Sequence, residues 1–422
     1  MIDANLKSVL FRLFAGMPGP PLLTGDTPPT FEVQEVGLYL HVPFCRSLCP
    51  FCPYNRMRYS ADLYARFEHA VYREVERYLP MLAGCRVTSL YIGGGTPTVD
   101  AEGLVRLVGH IRGAFPGKYQ VAVELHPTAA GPDVLSSLRA VGVSQVSVGV
   151  QSLADGELRR IGRNHDAAAA RRALHDCLEA GFTVNADLMF ALPDQDDESW
   201  RQTLVETLRT GVHEISTYPI FSFPYTLPNA APRAAPRRAP EKTLRRQLEI
   251  ARCTADSEGF KRSTVWSWTR PGAPPFSSVT RHCYVGLGPG AASMTGSSFY
   301  VNTFSVSEYA NAVASRLPIA LAMRVPQRLD RAYWLYWSLY ALHVSRSEFA
   351  ARFEGRDLSR EFGMLLRPMR MLGWLDKDAE GYKVTNAGAY WIHRLQNAYS
   401  LRYLERLWGA CLREPWPKEV HL

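Results

Sequence analysis

Three cysteines at close spacing could bind iron. Cys45, Cys49 and Cys52 lie in the segment Cys-Arg-Ser-Leu-Cys-Pro-Phe-Cys, directly after the strand-like run 36–42. Thiolates on a loop that leaves a buried strand can ligate three irons of a cubane iron–sulfur cluster. The fourth iron would then be open to an exogenous ligand, which suits a cluster that does chemistry and not only electron transfer. The spacing therefore predicts a [4Fe-4S] cluster held by these three cysteines.

Other interpretations of the cysteines fit less well. A structural zinc site would need a fourth cysteine or histidine at ligand spacing, and none follows locally. A disulfide would leave an odd thiol and would need a secretory context that the sequence lacks. Buried, inert cysteines do not suit a segment that is held open by Pro43, Pro50 and Pro53.

Glycine or polar residues follow four further strand-like runs. The glycines of 93–98 let a backbone approach a ligand closely and offer amides to an anionic group. Glu124 could pair with an amino group, and Arg163 could clamp a carboxylate. Gln151 and Asp187 could hold ribose hydroxyls or further amines. A tight turn or a structural ion pair explains each residue singly, so the prediction of a site depends on their shared position.

That shared position is the end of short apolar strands, which alternate with amphipathic helices. The alternation predicts an α/β fold with right-handed crossovers and a parallel sheet. Six such units suffice for a partial (β/α)6 barrel but fall short of eight, and sites of parallel barrels assemble at the carboxyl ends of the strands. Asp166 is expected to cap the helix before Cys177, and Gly181 to end it. The predicted strands are 36–42, 87–93, 120–125, 144–150, 183–189 and 214–219.

The chain divides into three predicted regions. Residues 1–34 form an N-terminal extension with a short amphipathic stretch and a Pro/Gly-rich lead-in. Residues 35–325 form the barrel, including a Pro/Arg-rich loop at 233–240. Residues 326–422 form a helical domain that resembles a winged helix. Its recognition-helix position, 358–372, has few exposed basic residues, so a role in covering the substrate is favoured over nucleic-acid binding.

Composition sets broad limits. The chain has 422 residues, of which 46% are hydrophobic, and a net charge of +8, which favours anionic partners without choosing among them. No apolar run is long enough to span a membrane, and no secretory signal is evident, so a cytoplasmic protein is expected. The five cysteines outside the motif are expected to be packing residues.

The sequence from about residue 35 to 310 resembles the radical S-adenosylmethionine (SAM) superfamily, and within it the branch around oxygen-independent coproporphyrinogen III oxidase. The C-terminal domain also resembles the one appended in this branch. The motifs that carry the resemblance are Tyr39-Leu-His-Val-Pro-Phe-Cys-Arg-Ser-Leu-Cys-Pro-Phe-Cys, Gly93-Gly-Gly-Thr-Pro-Thr, Glu124-Leu-His-Pro, Ser147-Val-Gly-Val-Gln, Asp187-Leu-Met-Phe-Ala-Leu-Pro and Gly286-Leu-Gly-Pro-Gly-Ala.

The resemblance implies a ligand set. The cysteines would hold the cluster, and SAM would chelate the open iron through its amino and carboxylate groups. Tyr39, Gly94 and Glu124 would line this first SAM, and Ala292 would also contact a cofactor. A flavodoxin- or ferredoxin-type protein would supply electrons. The residues that would line a second SAM are Phe51, Gly95, Thr96, Gln151, Arg163 and Asp187.

Two departures from the branch lead to a prediction of the reaction. Position 54, where the oxidase has a further cysteine, is Tyr54, and the region 276–283 lacks the His-Asn-x-x-Tyr-Trp motif of the family's haem chaperones. What remains resembles the class C radical SAM methyltransferases. This likeness predicts transfer of a methyl or methylene carbon from SAM to an sp² carbon of a small planar aromatic substrate, as methylation or cyclopropanation in natural-product (antibiotic) biosynthesis.

Proton or hydrogen handling in that reaction is assigned to Tyr54, Tyr218 and His282. A partner SAM methyltransferase is a further expectation, whereas membrane and nucleic-acid partners are not expected. Two alternatives stay open. One is a coproporphyrinogen-type oxidative decarboxylase or another enzyme that acts on porphyrin or haem, and the other is a haem-binding chaperone without enzyme activity.

Overall fold

The computed structural model describes residues 22–25, 27–31, 33–220, 239–274, 276 and 282–422, apart from the side chains of 396–402. The predicted amphipathic stretch near the N-terminus and most of the Pro/Arg-rich loop lie outside these residues. Within the described part of the chain, no helix is long and apolar enough to cross a membrane.

The fold is a mixed α/β architecture built on one large sheet. The strands are β1 (Leu22–Thr24), β2 (Glu35–Val42), β3 (Phe44–Cys45), β4 (Met57–Arg58), β5 (Arg86–Gly94), β6 (Gln120–Leu125), β7 (Gln145–Gln151), β8 (Thr183–Phe190), β9 (Glu214–Pro219), β10 (Lys261–Arg262), β11 (Ser267–Thr269), β12 (Cys283–Leu287), β13 (Ala292–Thr295), β14 (Ser298–Asn302), β15 (Ile319–Arg324), β16 (His343–Ser345), β17 (Leu375–Lys377), β18 (Gly381–Val384) and β19 (Glu419–His421).

Helices connect the strands and form the C-terminal region. They are α1 (Ala61–Tyr78), α2 (Ala101–Ala114), α3 (Pro132–Ala140), α4 (Asp155–Arg160), α5 (Ala167–Glu179), α6 (Asp197–Arg209), α7 (Glu241–Ser257), α8 (Val306–Ala312), α9 (Gln327–Tyr340), α10 (Arg346–Arg352), α11 (Leu358–Met371) and α12 (Asn386–Arg413), with 3-10 turns at Pro97–Asp100 and Pro127–Ala129.

Six parallel strands form the centre of the sheet, in the order β2-β5-β6-β7-β8-β9, and α1 to α6 lie between them in sequence. The partial barrel of six units is therefore confirmed. Each strand lies within one or two residues of its predicted bounds, because parallel strands that are buried on both faces read as short continuous apolar runs. Leu38, Leu40, Val146 and Val148 are at most 1% exposed.

The sheet continues beyond the barrel on both sides, which the sequence analysis did not anticipate. β12 pairs in parallel with β2, and β13, β14 and β15 follow it in antiparallel order. The short N-terminal β1 then pairs with both β15 and the C-terminal β19, with Leu23 opposite Val420. The two ends of the described chain are thus joined in the same sheet.

Local helix signals are confirmed at α5. The Asp166 side chain accepts a 2.7 Å hydrogen bond from the amide of Ala169, which satisfies one of the free amides of the first turn. The helix ends at Glu179, and Gly181 follows with φ of +77°. This left-handed conformation is easily reached by glycine, so the chain can turn directly into β8.

The C-terminal region has the predicted winged-helix-like elements, with α10 and α11 followed by the hairpin β17–β18, which pairs with β16. The last helix, α12, is the longest of the described helices and runs from Asn386 to Arg413. Thr385 caps α12 by accepting a 2.9 Å hydrogen bond from the amide of Gly388.

Gly388 should be intolerant of a side chain. A methyl group there would lie 1.9 Å from the carbonyl oxygen of Trp374, which is backbone and cannot rotate away. We expect Gly388→Ala to lower the unfolding free energy by about 1–3 kcal/mol or more, measured by urea denaturation. Gly113→Ala in α2 is the matched control, because no atom lies within 4 Å of that position. Alanine is the better helix former there, so equal stability of the two variants would contradict the described packing.

Candidate functional site

A cavity of about 390 Å³ lies inside the partial barrel, within the range of roughly 300–1,000 Å³ common for small-molecule sites. Its wall comes from the loop after β2, from β5 to β9, and from parts of the chain near Thr264, Phe276 and Tyr340. Most of the site residues predicted from the sequence line it. They are Cys45, Cys49, Phe51, Cys52, Tyr54, Gly94, Gly95, Thr96, Glu124, Gln151, Arg163, Asp187 and Tyr218.

The structure does not bring every predicted residue to the cavity wall. The hydroxyl of Tyr39 is hydrogen bonded to Nδ1 of His41, at 2.8 Å. Ala292 lies in β13, where it pairs with Val301. His282 is largely buried close to Arg352, and burial followed by this positive charge lowers its pKa to about 4. None of these three is among the described residues that line the cavity, and their places follow from strand pairings that local motifs do not encode.

The three thiols form one end of the cavity. The amide of Cys52 donates a 3.2 Å hydrogen bond to the carbonyl of Cys49, which closes a turn between the two. The Cys45 sulfur accepts from Oγ1 of Thr96 at 3.7 Å, and the Cys49 sulfur accepts from Nη1 of Arg163 at 3.5 Å. Burial raises the pKa of Cys52 to about 12. The Cys52 thiol is therefore protonated until a metal displaces its proton.

This end of the cavity fits an iron–sulfur cluster better than a single ion. Among the described residues, no three Cys, His, Asp or Glu side chains converge on one metal position. A cubane does not require such convergence, because each thiolate binds a different iron. The Nε groups of Arg56 and Arg163 are buried and have no hydrogen-bond partner. These donors suit the negative charge of a thiolate-bound cluster and its ligand, so the residues fit the group.

The amides of the glycine segment after β5 pair with acceptors in other parts of the protein. They are therefore not free to bind an anionic ligand. The amides of Gly94, Gly95 and Thr96 donate to the Glu124 carboxylate, the Val42 carbonyl and the Phe44 carbonyl, respectively. The expectation that these amides would bind a ligand carboxylate is therefore wrong. Glycine is needed here for close approach, since a Cβ on residue 95 would lie 2.6 Å from the Phe44 carbonyl oxygen.

Glu124 is the half-buried carboxyl group next to this segment. Its two oxygens accept from the Tyr91 hydroxyl at 2.9 Å and from the Gly94 amide at 3.1 Å. Burial, followed by the nearby charge of Asp187, raises its pKa to about 7. Glu124 is thus held in position by two hydrogen-bond donors that are both neutral. Neither of them compensates the negative charge of its carboxylate.

Asp187 is fixed by a row of polar side chains across the strands. Ser147 and Asn185 donate to its two oxygens at 2.7 and 3.0 Å, and Ser216 donates to the Asn185 amide oxygen at 3.1 Å. The pairings Ser147 with Asn185 and Asp187 with Ser216 place these residues at two successive levels on one face of the sheet. Burial raises the pKa of Asp187 to about 6.

Glu214 is a third carboxyl group in the cavity, which the sequence analysis missed. It accepts from Oγ1 of Thr269 at 2.7 Å and from the Phe276 amide at 3.4 Å, and burial raises its pKa to about 7. A signal for it was present, because polar residues alternate in Asn185-x-Asp187 and Glu214-x-Ser216-x-Tyr218 and alternation places them on one face. Other lining residues that were missed are Tyr91, His126, Ser147, Asn185, Ser216, Thr264, Ser267, Phe276 and Tyr340.

The chain resembles known proteins in both sequence and fold. The family model for the Radical SAM superfamily matches residues 39–206. This chain contains a radical SAM domain. The haem chaperone HemW of Mycobacterium tuberculosis is 29% identical over 307 residues, which are 68% of this chain and 77% of that protein. The oxygen-independent coproporphyrinogen III oxidase of Escherichia coli is 32% identical over 202 residues, 46% of this chain and 44% of that protein.

The solved structure of the coproporphyrinogen III oxidase HemN from Escherichia coli shares the fold of this radical SAM protein. Its TM-score is 0.77 at 22% identity, covering 89% of this chain and 94% of that one. The α/β fold with a parallel sheet is therefore confirmed. The predicted resemblance to the coproporphyrinogen-oxidase-like branch is confirmed by the relatives found in sequence. A radical SAM domain implies a [4Fe-4S] cluster and SAM as cofactors.

The prediction of carbon transfer to an aromatic natural product is wrong. The relatives reported above are a haem chaperone and coproporphyrinogen oxidases, not class C methyltransferases. The prediction depended on two features of the branch that this chain lacks. They are a cysteine at position 54, which is Tyr54 here, and the His-Asn-x-x-Tyr-Trp motif in the region 276–283. The absence of a motif shows which residues a site lacks, but it does not identify the reaction that the site performs.

The three thiols generate a prediction about iron binding. Cys45→Ala, Cys49→Ala or Cys52→Ala should each lower the iron content after anaerobic reconstitution, because one iron loses its ligand, and should abolish reductive SAM cleavage. Iron and sulfide analysis and the thiolate-to-iron absorption measure this. Cys253→Ala is the control, because Cys253 is exposed and lies outside the cavity. Full iron content and SAM cleavage in Cys49→Ala would refute the assignment.

The carboxyl groups generate a pH prediction. The pKa values of Glu124 and Asp187 are raised to about 7 and about 6, so both side chains lose their negative charge as the pH falls through these values. The sulfonium of SAM stays positive, so SAM affinity should fall by roughly 10-fold or more as the pH is lowered from about 8 to about 5. Equilibrium dialysis measures this. Glu124→Gln should bind SAM more weakly at pH 8 and flatten the profile, and an unchanged profile would contradict a role for Glu124 in binding SAM.

Proposed function

We propose that this protein is a SAM-dependent radical enzyme that oxidises a reduced tetrapyrrole, with oxidative decarboxylation of propionate side chains as the reaction. The observation that carries the proposal is a single cavity with three thiols at one end, unpaired carboxyl groups on its wall and aromatic rings around them. The likeness to coproporphyrinogen oxidases in sequence supports the choice of substrate.

The carboxyl groups of the cavity support the binding of SAM. Leaving Glu124 and Asp187 charged in a buried cavity is costly, and a sulfonium or ammonium group of a ligand would offset that cost. In this proposal Glu124 and Tyr91 hold one SAM near the thiols. Asp187, Gln151 and Arg163 hold a second SAM, with Arg163 paired to its carboxylate. Two SAM molecules per chain are thus part of the proposal.

The aromatic residues of the cavity suit a ring system. Phe51, Tyr54, Tyr218, Phe276 and Tyr340 all line it, and aromatic faces stack well on flat or pyrrolic rings. Tyr340 ends α9, and its carbonyl accepts a 3.0 Å hydrogen bond from the amide of Val265. The C-terminal region therefore contributes to the wall that would cover the substrate.

The proposed reaction balances with one external oxidant. A propionate side chain loses carbon dioxide and one hydrogen atom and becomes a vinyl group. The hydrogen atom leaves on 5′-deoxyadenosine, and the remaining electron passes to a one-electron acceptor. The bound cluster would supply the electron that cleaves SAM, and a flavodoxin- or ferredoxin-type protein would reduce it. All eight cysteines are free thiols, which fits a reducing cytoplasm.

Haem carriage is the second candidate function. Haem chaperones match a longer part of this chain than the oxidase does, 362 residues in the case of Bacillus subtilis HemW at 24% identity. A flat haem would use the same aromatic wall. The two functions differ in outcome, because a carrier binds haem without consuming SAM.

The decisive assay uses anaerobically reconstituted protein with dithionite, SAM, coproporphyrinogen III and a one-electron acceptor. We expect carbon dioxide, 5′-deoxyadenosine and a vinyl-bearing product, measured by mass spectrometry. Cys49→Ala should give none of these. Tight haem binding with no product from coproporphyrinogen III would refute the proposed oxidation and favour the carrier. Binding of neither compound would refute both.

A further inference from the structure

One carboxyl group of the cavity, Glu214, is not needed by the thiols or by the proposed SAM ligands. It precedes Ser216 by two residues in β9, so it shares that residue's face and lies nearer the amino end of the strand. Its register partner is Asn185, whereas Asp187 lies opposite Ser216, one level higher. Glu214 is 5% exposed and is part of the cavity wall.

The contacts of Glu214 leave its charge unpaired. The Thr269 hydroxyl and the Phe276 amide both donate to the same oxygen, Oε2. Both donors are neutral, and the charged neighbour that acts on its pKa is the like-charged Asp187. The Ser267 side chain adds a further neutral hydrogen-bond contact, so the donors that the described residues bring to Glu214 carry no positive charge.

The two arginines that line the described cavity, Arg56 and Arg163, donate their hydrogen bonds to the cysteine loop and to β7, and not to Glu214. Arg163 donates to the Cys49 sulfur and to the Gly149 carbonyl, at 3.5 and 2.8 Å. Arg56 donates to the Cys49 and Tyr54 carbonyls. A buried carboxylate that faces a cavity without a cation is stabilised only when a ligand brings hydrogen-bond donors to it.

The surroundings of Glu214 restrict the kind of donor. Tyr91, Tyr218, Phe276 and Tyr340 line the same cavity, and Tyr91 and Phe276 meet edge to face at 6.1 Å. A hydrogen-bond donor must pass these rings to reach Glu214. A donor that is itself part of an aromatic ring, such as a pyrrole N–H, suits these surroundings best. In a porphyrinogen the four pyrroles are joined by saturated bridges, so the macrocycle is not flat and its N–H groups can turn to one face. In haem the four nitrogens bind iron and carry no hydrogen.

We propose that Glu214 accepts the pyrrole N–H groups of a porphyrinogen and thereby selects a reduced, metal-free tetrapyrrole against haem. The inference rests on the proposed function, since it names the substrate form that the cavity takes. Glu214 is here a specificity-determining residue that contacts the substrate, distinct from the carboxyl groups that hold SAM.

The test compares ligands that share one skeleton and the same propionates. Coproporphyrinogen III, oxidised coproporphyrin III and iron coproporphyrin III are titrated anaerobically into reconstituted protein with SAM present. We expect wild-type protein to bind the porphyrinogen about 10-fold more tightly than the iron complex, which corresponds to about 1.4 kcal/mol. Equal or tighter binding of the iron complex would overturn the inference without any variant.

Glu214→Gln tests the residue itself. The amide keeps the shape but loses the charge and points donors at the ligand, so porphyrinogen binding should weaken by about 10-fold while the iron complex binds as before. Glu157→Gln is the matched control, because Glu157 is also buried but is satisfied by Ser152, Gln195 and Ser199 outside the cavity. It should keep the wild-type preference.

A second variant separates misfolding from loss of recognition. Glu214→Asp keeps the charge and withdraws it by one methylene group, so it should retain part of the preference that Glu214→Gln loses. An unchanged preference in Glu214→Gln, with SAM still bound, would overturn the inference and leave the proposed function standing. No binding of any of the three tetrapyrroles to wild-type protein would refute the proposed function as well.

Discussion

The whole site depends on the close backbone contact between the glycine segment after β5 and the loop that carries the cysteines. The amides of Gly95 and Thr96 donate 2.8 Å hydrogen bonds to the carbonyls of Val42 and Phe44, which only a residue without Cβ allows at position 95. The neighbouring amide of Gly94 holds Glu124. One short segment therefore fixes the thiols and the first carboxyl group relative to each other, before any cofactor binds.

A second constraint is electrostatic. Three carboxyl groups share one buried cavity, and their pKa values are raised because burial disfavours their charged forms. Neutral donors such as Tyr91, Ser147 and Asn185 position them without cancelling their charge. Such an arrangement favours ligands that are cationic or that carry N–H groups. At Asp187 the positive charge of Arg163 partly offsets the effect of burial, because it lowers the pKa of that carboxyl group.

The C-terminal region takes part in this site and is not a separate attachment. Tyr340 lines the cavity, and nearby Trp266 contacts both Tyr218 of the barrel and His393 of α12, the latter with ring centroids 3.7 Å apart. The pairing of β1 with β19 ties the ends of the described chain to the extended sheet. The cavity wall thus comes from parts of the chain that are far apart in sequence.

The sequence by itself determined the features that local chemistry controls. The apolar runs located the six parallel strands, Asp166 and Gly181 bounded α5, and the cysteine spacing located the thiol end. It could not determine that Tyr340 lines the same cavity as Asp187, or that Tyr39 is hydrogen bonded to His41. Those relations depend on strand register and on contacts between distant segments. Each is set by the packing of the whole sheet, which no local pattern of residues specifies.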